Sequence, residues 1–383
     1  TKKQALKAVV FLTVFLWLLV TVTYIIRTNG DVKDRFTGFY AEKENTIDAI
    51  LVGSSPVYPY YSAPALYGKS GIAAYPLSTN NQRPKAIKYL LKEAQKTQDP
   101  SLFIIEMRMF SMPDEEWEDT MIFTRGVTDN LKYSKNRVDA INALVSDRSE
   151  RYTYYFDIFK YHSNWKTLFL PDQLACWRYE KKNLLKGLEI KTGVGPVDWT
   201  DYSDVTEKME PAKEQLAVLD DLLSYIDSTD KDALFILSPY GMEKEARMKF
   251  NDLTERIEAA GYPVLDFNQH IDEIGLDFST DFYDYGGHVN ALGEGKCTEF
   301  LRQYLDSHYE LPDRRSVQGY ESWDSAWELY QQKQSEAEAS CRKDIEEENW
   351  RMVFQSFRLM DGQDADSFDF SRRNGLFVQL FVQ

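Results

Sequence analysis

Gly53, Ser54 and Ser55 follow directly on the apolar run IDAILV at 47–52, and far downstream the segment DFYDYGGHVN at 281–290 carries Asp281, Asp284 and His288 on one short loop. A serine hydroxyl is a weak nucleophile at neutral pH. It attacks a carbonyl when an imidazole takes its proton and a carboxylate fixes the tautomer of that imidazole and stabilises its cation. Ser55, His288 and an aspartate of the same loop supply those three residue types. The chemistry also needs donors aimed at the developing oxyanion. Ser78, Thr79, Asn80, Asn81 and Gln82, which follow the run GIAAYPL at 71–77, offer amide side chains and backbone N–H groups beside the N–H of Ser55. Asn80 and Asn81 have equal claim to that role, and Asn81 equally suits the N-cap of a helix opened by Pro84. Of the four histidines, His270 and His308 read as surface residues, and His162 lies among aromatic side chains.

Short apolar runs at 47–52, 71–77, 102–105, 233–237 and 263–267 read as strands, separated by segments with helical spacing. Examples are Ile87, Leu90, Leu91 and Ala94, then Leu216, Leu219, Leu223 and Ile226, then Ala246, Phe250, Leu253 and Ile257 before Gly261. Strand and helix in alternation predict an α/β fold with a parallel sheet. Ser55 then lies at the carboxyl edge, where such sheets place their sites. Residues 129–227 break the rhythm and read as a helical insertion over the sheet. Asn290 predicts the cap of a last helix bearing Phe300, Leu301, Tyr304 and Leu305. Glu106 and Arg108, just past the third strand, are expected to form a structural ion pair. Residues 335–349 are charged and helix-prone with little apolar periodicity.

A formal charge of -16 over 383 residues argues against a nucleic-acid partner, because the surface would repel phosphates. Three widely spaced cysteines, Cys176, Cys297 and Cys341, indicate neither a zinc site nor a disulfide framework. No glycine-rich phosphate loop occurs, and neither metal nor cofactor is expected. No charge interrupts residues 8–26, close to the ~20 residues that cross a bilayer core. Lys2, Lys3 and Lys7 precede this run and predict a cytoplasmic N-terminus, with the rest of the chain on the far side of a single membrane span.

Taken together, GSS after the first strand, YPLSTNNQ after the second and DFYDYGGHVNALG near the end resemble the SGNH/GDSL hydrolase superfamily. The closer likeness is to its anchored, DltD-like branch, which partners membrane-bound O-acyltransferases in decorating cell-surface polymers. The resemblance spans 47–315 and implies a flavodoxin-like, three-layer SGNH sandwich with Ser55 as nucleophile and His288 as base. The family's Asp-x-x-His block falls on 284–288 and implies Asp284 as the acid. The spacing here is one residue longer, so Asp281 or a backbone carbonyl is the alternative partner of His288. Ser78 or Thr79 stands where the family has a glycine, and either Asn80 or Asn81 takes the place of its amide donor. Residues 161–165 (YHSNW) are similar to the insertion of the anchored branch. His162 and Trp165 are thereby expected to line an acceptor site, the alternative being an aromatic core of the insertion.

The implied organisation is an anchor at 1–28, a linker at 29–45, a catalytic domain at 46–315 with its insertion, and a C-terminal helical extension at 316–383. The implied activity is extracytoplasmic transfer of an acyl group, acetyl or D-alanyl, through an acyl-serine onto hydroxyls of an exopolysaccharide or teichoic acid. A membrane-tethered carbohydrate esterase and a non-catalytic partner of a membrane O-acyltransferase are the alternatives.

Overall fold

The computed structural model describes residues 1–27, 30–112, 121–167, 169, 171–174, 182–197 and 199–347. The chain opens with α1 (Lys2–Ile26) and α2 (Asp31–Tyr40). From β1 (Ala49–Val52) it passes through α3 (Val57–Tyr60) and α4 (Ala63–Ser70) to β2 (Ala74–Pro76), and through α5 (Ile87–Ala94) to β3 (Leu102–Glu106). The long crossover to β4 holds α6 (Met121–Thr128), α7 (Lys135–Leu144), α8 (Arg151–Tyr155), α9 (Ile158–Tyr161), a 3-10 turn (His162–Thr167), α10 (Pro171–Leu174) and α11 (Lys213–Asp227). After β4 (Asp232–Leu237) come α12 (Lys244–Ala259), β5 (Val264–Asp266), α13 (Ile271–Ile274), α14 (Ala291–His308) and α15 (Glu321–Glu347).

The five strands are all parallel, in the order β2-β1-β3-β4-β5. Side chains alternate across a strand, so Ile50, Val52, Phe103, Ile105 and Phe235 enter one core with α5, α11 and α12. Ala49, Leu51, Leu102, Ile104 and Ile236 enter a second core with α14. Both faces are covered, which is why the strands read as unbroken apolar runs. The strand order reverses between β1 and β3, and the carboxyl ends at such a switch point are where open α/β sheets place their ligand sites.

Three regions differ from the sequence expectation. Residues 29–45 contain α2, whose Phe36 and Phe39 are buried in the first core and whose Lys33 and Arg35 are buried as well. The polar composition concealed a docked helix. Within 129–227, α11 belongs to the sheet layer, because Leu219, Leu222 and Ile226 cover the strands. α15 is a packed element too, lying against α4 and α14. Its buried stripe runs through Trp323, Ala326, Tyr330, Gln334, Ala337 and Cys341, a helical repeat written in alanine, glutamine and cysteine instead of leucine. Of the two cysteines described, Cys297 and Cys341 are both free and buried; Cys176 lies outside the described residues.

α1 is long and apolar enough to cross a membrane, with a mean hydropathy of 2.6 over its best window. Most of its length is exposed, and only its last turn, Thr23 to Ile26, is buried against the remainder of the molecule.

Candidate active site

Ser55 is delivered by the sharp exit of the chain from β1. Gly53 has a φ of 147°, and a Cβ there would stand 2.6 Å from the Cβ of Glu106 on β3. Only glycine allows the two strand ends to approach this closely. The following residues turn into α3 at the carboxyl edge of the sheet, beside the β1/β3 switch.

His288 is held from the opposite side by a narrow loop. An antiparallel bridge joins Phe282 to Val289, the Tyr283 N–H donates to the His288 carbonyl at 3.1 Å, and the Asn290 N–H donates to the Asp281 carbonyl at 2.8 Å. The Asn290 side chain caps α14 through the N–H groups of Leu292 and Gly293 and donates to the Thr280 carbonyl. Inside the loop, Tyr285 and Gly286 have φ values of 57° and 102°. This left-handed pair turns the chain back on itself between Asp284 and His288.

The loop and the β1 exit bring Ser55, His288 and Asp284 into one hydrogen-bonded series. His288 Nε2 lies 2.7 Å from Ser55 Oγ, and His288 Nδ1 lies 2.6 Å from Asp284 Oδ2. The second carboxylate oxygen, Oδ1, accepts the His288 backbone N–H at 2.6 Å. Asp284 thus grips both the ring and the peptide of the histidine. Burial alone would raise the Asp284 pKa. The charge of His288, these hydrogen bonds and the nearby Arg108 outweigh it and hold the carboxyl below the ordinary aspartate range. Asp281 plays a different part. Its Oδ2 binds the Lys296 ammonium at 2.6 Å and accepts the Asp277 N–H at 2.8 Å, which fixes the base of the loop.

Arg108 and Tyr60 brace the loop from beneath. The Gly287 carbonyl, one residue before His288, accepts from Arg108 Nη1 at 2.5 Å and from the Tyr60 hydroxyl at 3.1 Å. Tyr60 also sets its ring edge-on to the imidazole, with centroids 6.4 Å apart, while Tyr283 stacks on it at 6.0 Å. The expected Glu106–Arg108 side-chain pair takes another form. Glu106 accepts the backbone N–H of Arg108 at 3.1 Å, and the guanidinium turns instead to Gly287, Tyr60, the Pro239 carbonyl and the face of Tyr240. Burial raises the Glu106 pKa despite the proximity of Arg108. Tyr60 went unnoticed in the sequence; its only signal is the aromatic cluster YPYY shortly after the serine.

On the far side of Ser55 lies the 78–82 turn. The Gln82 side chain accepts the Thr79 N–H at 3.1 Å, and Asn81 has a φ of 41°. The Tyr58 hydroxyl, three residues past Ser55, donates to Asn80 Oδ1 at 2.6 Å. Asn80 is thereby oriented through its oxygen, which leaves its amide N–H₂ as a donor. Among the described residues, Asn81 has no corresponding side-chain anchor and the Ser55 N–H has no acceptor. Arg35 from α2 holds this turn, donating to the Ser78 carbonyl at 2.9 Å and lying 3.8 Å over the Tyr58 ring. Sequence reading missed Arg35 because it fell in the expected linker.

A separate groove of about 530 Å³ is lined by apolar and charged side chains together, among them Leu185, Leu188, Ile190, Glu189, Lys191 and Lys333, and Ser55, Asp284 and His288 are not part of its lining. The Glu189 N–H donates to the Tyr58 carbonyl, and the Lys191 ammonium lies 5.8 Å from the Tyr283 ring centroid. His162 and Trp165 sit elsewhere. They lie on the 3-10 turn that packs against α1 and α9, both are exposed, and His162 Nδ1 is 3.0 Å from the Phe159 carbonyl. The described residues contain no cluster of His, Cys, Asp or Glu suited to a metal ion. Compared with known proteins, the chain matches no family model and no curated protein.

Proposed function

We propose that this chain is a serine acyltransferase of the flavodoxin-like SGNH sandwich type, anchored by α1 with its folded body on the extracytoplasmic side. The observation that carries the reading is the Asp284–His288–Ser55 series, with contacts of 2.6 and 2.7 Å at the β1/β3 switch. Ser55 Oγ attacks the acyl carbonyl of an ester or thioester while His288 Nε2 takes the hydroxyl proton. The tetrahedral oxyanion is met by the Ser55 N–H and the Asn80 amide. Collapse breaks the bond to the leaving group, which departs with the proton held on His288, and Ser55 keeps the acyl group. An acceptor hydroxyl then gives its proton to His288 and attacks the acyl-serine, and the reverse collapse returns the proton to Ser55. Asp284 holds Nδ1–H throughout and stabilises the imidazolium.

Transfer is preferred to hydrolysis on the resemblance of the serine, asparagine and histidine blocks to the anchored branch. On the same resemblance the acceptor is a cell-surface polysaccharide or teichoic acid, the moving group acetyl or D-alanyl, and the partner a membrane-bound O-acyltransferase. A water molecule in place of the acceptor makes the same site an esterase.

The purified full chain, given a chromogenic acetyl ester with and without a glycan acceptor, tests the reading. Ester cleavage lost in Ser55→Ala together with an acylated glycan is the expected result. Fast hydrolysis with the glycan never acylated would replace transferase by esterase. Cleavage that persists in Ser55→Ala would remove the serine enzyme altogether.

A further inference from the structure

The crossover segment α8–α10 turns Tyr154, Asp157 and Tyr161 inward: Tyr154 packs with Ile141 and Val145, Asp157 is fully buried against Arg27 and Arg137, and the Tyr161 hydroxyl donates to Asp129 at 2.6 Å. Its exposed side, which also carries His162 and Ser163, is rich in large apolar side chains. Tyr152, Phe156, Phe159, Trp165, Phe169 and Leu174 are all exposed, Trp165 to 64% and Phe169 to 79%. Exposed Lys160 and Lys166 stand among them. Water does not favour so many exposed large apolar side chains on one segment, whereas aromatic rings interspersed with lysines suit the interfacial zone of a bilayer.

The place of this face in the fold identifies what covers it. α9, α10 and the 3-10 turn all contact α1. The last turn of α1 is fastened to the body: Lys33 Nζ donates to the carbonyls of Tyr24, Ile25 and Arg27 at 3.1 to 3.3 Å, and Asn164 Nδ2 donates to that of Ile26 at 3.0 Å. These are the carbonyls a helix end leaves unpaired. The last turn of α1 is therefore fixed to the body, and α9, the 3-10 turn and α10 lie against α1.

We propose that the exposed face of α8–α10 is a lipid-binding platform that lies in the interface of the membrane α1 crosses, seating the body against the bilayer. The proposal rests on α1 being a membrane span. It assigns the exposed aromatics, Trp165 included, to lipid and not to the acceptor.

The test places an environment-sensitive fluorophore on single cysteines in the full chain, in a Cys176→Ser background where Cys297 and Cys341 are buried. The labelled variants are Phe15→Cys in α1, Phe159→Cys and Phe169→Cys on the platform, and Val317→Cys. Val317 is exposed near Arg314, which pairs with Asp48 at the amino edge of the sheet. In phosphatidylcholine/phosphatidylglycerol nanodiscs, nitroxide lipids labelled high on the acyl chain should quench positions 159 and 169 several-fold more than 317. Lipids labelled deep in the chain should quench position 15. Quenching at 15 with 159 and 169 no different from 317 overturns the platform and leaves the anchor standing. Absence of quenching at 15 overturns the anchor and the platform with it.

Discussion

Two polar clusters inside this chain are each built around an aspartate and end differently. Around Asp157 the charges close on themselves. Arg27 and Arg137 meet one carboxylate oxygen, the Tyr133 hydroxyl meets the other at 2.5 Å, and Asp129 is taken by Arg125 and Tyr161. In the Asp284–His288–Ser55 series Asp284 holds both the ring and the peptide N–H of His288, one contact leads on to Ser55, and that last atom, Ser55 Oγ, lies on a partly exposed residue. A closed cluster of buried arginines and carboxylates fixes geometry. An open series can pass a proton and accept an electrophile at its free end, so mutation of the first should show in stability and mutation of the second in rate.

The sharpest break in that comparison comes from the two acids of one loop. Asp284→Asn should lower ester turnover about 10³- to 10⁴-fold with little change in melting temperature, since the amide imposes the wrong imidazole tautomer. Asp281→Asn should do the reverse, reducing stability through the loss of Lys296 and the Asp277 N–H while leaving most of the turnover per folded molecule. Parallel kinetics and thermal melts check both. Because the Asp284 carboxyl is held below the ordinary range, its contact with His288 should survive as pH falls through 3.8 and break only below that value.

Asp157→Ala comes next and should act on stability. It strands Arg27 and Arg137 without their shared carboxylate, a loss of about 3–5 kcal/mol for a broken buried pair. Denaturant unfolding of the full chain in detergent measures it. An unchanged midpoint would show that the cluster does not fasten the crossover to the foot of α1.

Glu294 supplies the smallest and most graded effect. It is buried between α14 and α15, bonded to Thr298 at 2.8 Å and Tyr330 at 3.0 Å, and burial pushes its pKa up to about 7. The folded value exceeds the unfolded value near 4.5, so folding takes up a proton between them. Stability should fall as pH rises from about 4.5 to about 7, by ~3 kcal/mol at most, and then level off. Urea midpoints across that window should show the decline in the parent chain and a flatter profile in Glu294→Gln.

Much of this was legible in the sequence where one physical rule dominated. Buried parallel strands need unbroken apolar runs, so all five were visible, and the helix cap at Asn290 followed from residue type alone. Ser55 and His288 were visible because a strand end and a loop are where chemistry-bearing residues stand out. The choice between Asp281 and Asp284 was not legible, since it depends on the left-handed turn at Tyr285 and Gly286. Nor was the choice between Asn80 and Asn81, which rests on a tyrosine far away in sequence. α2 and α15 were underread because their buried faces interleave a few aromatics with arginine, lysine, alanine and glutamine, whose burial depends on partners that only the tertiary fold supplies.

The central claim is that Ser55 Oγ is the atom acylated. Intact-mass analysis of the full chain after brief exposure to an activated acetyl ester, followed by peptide mapping, addresses it directly. One acetyl adduct is expected on the peptide containing Ser55, absent from Ser55→Ala and accumulating poorly in His288→Ala. An adduct on another residue, or equal labelling of Ser55→Ala, would contradict it.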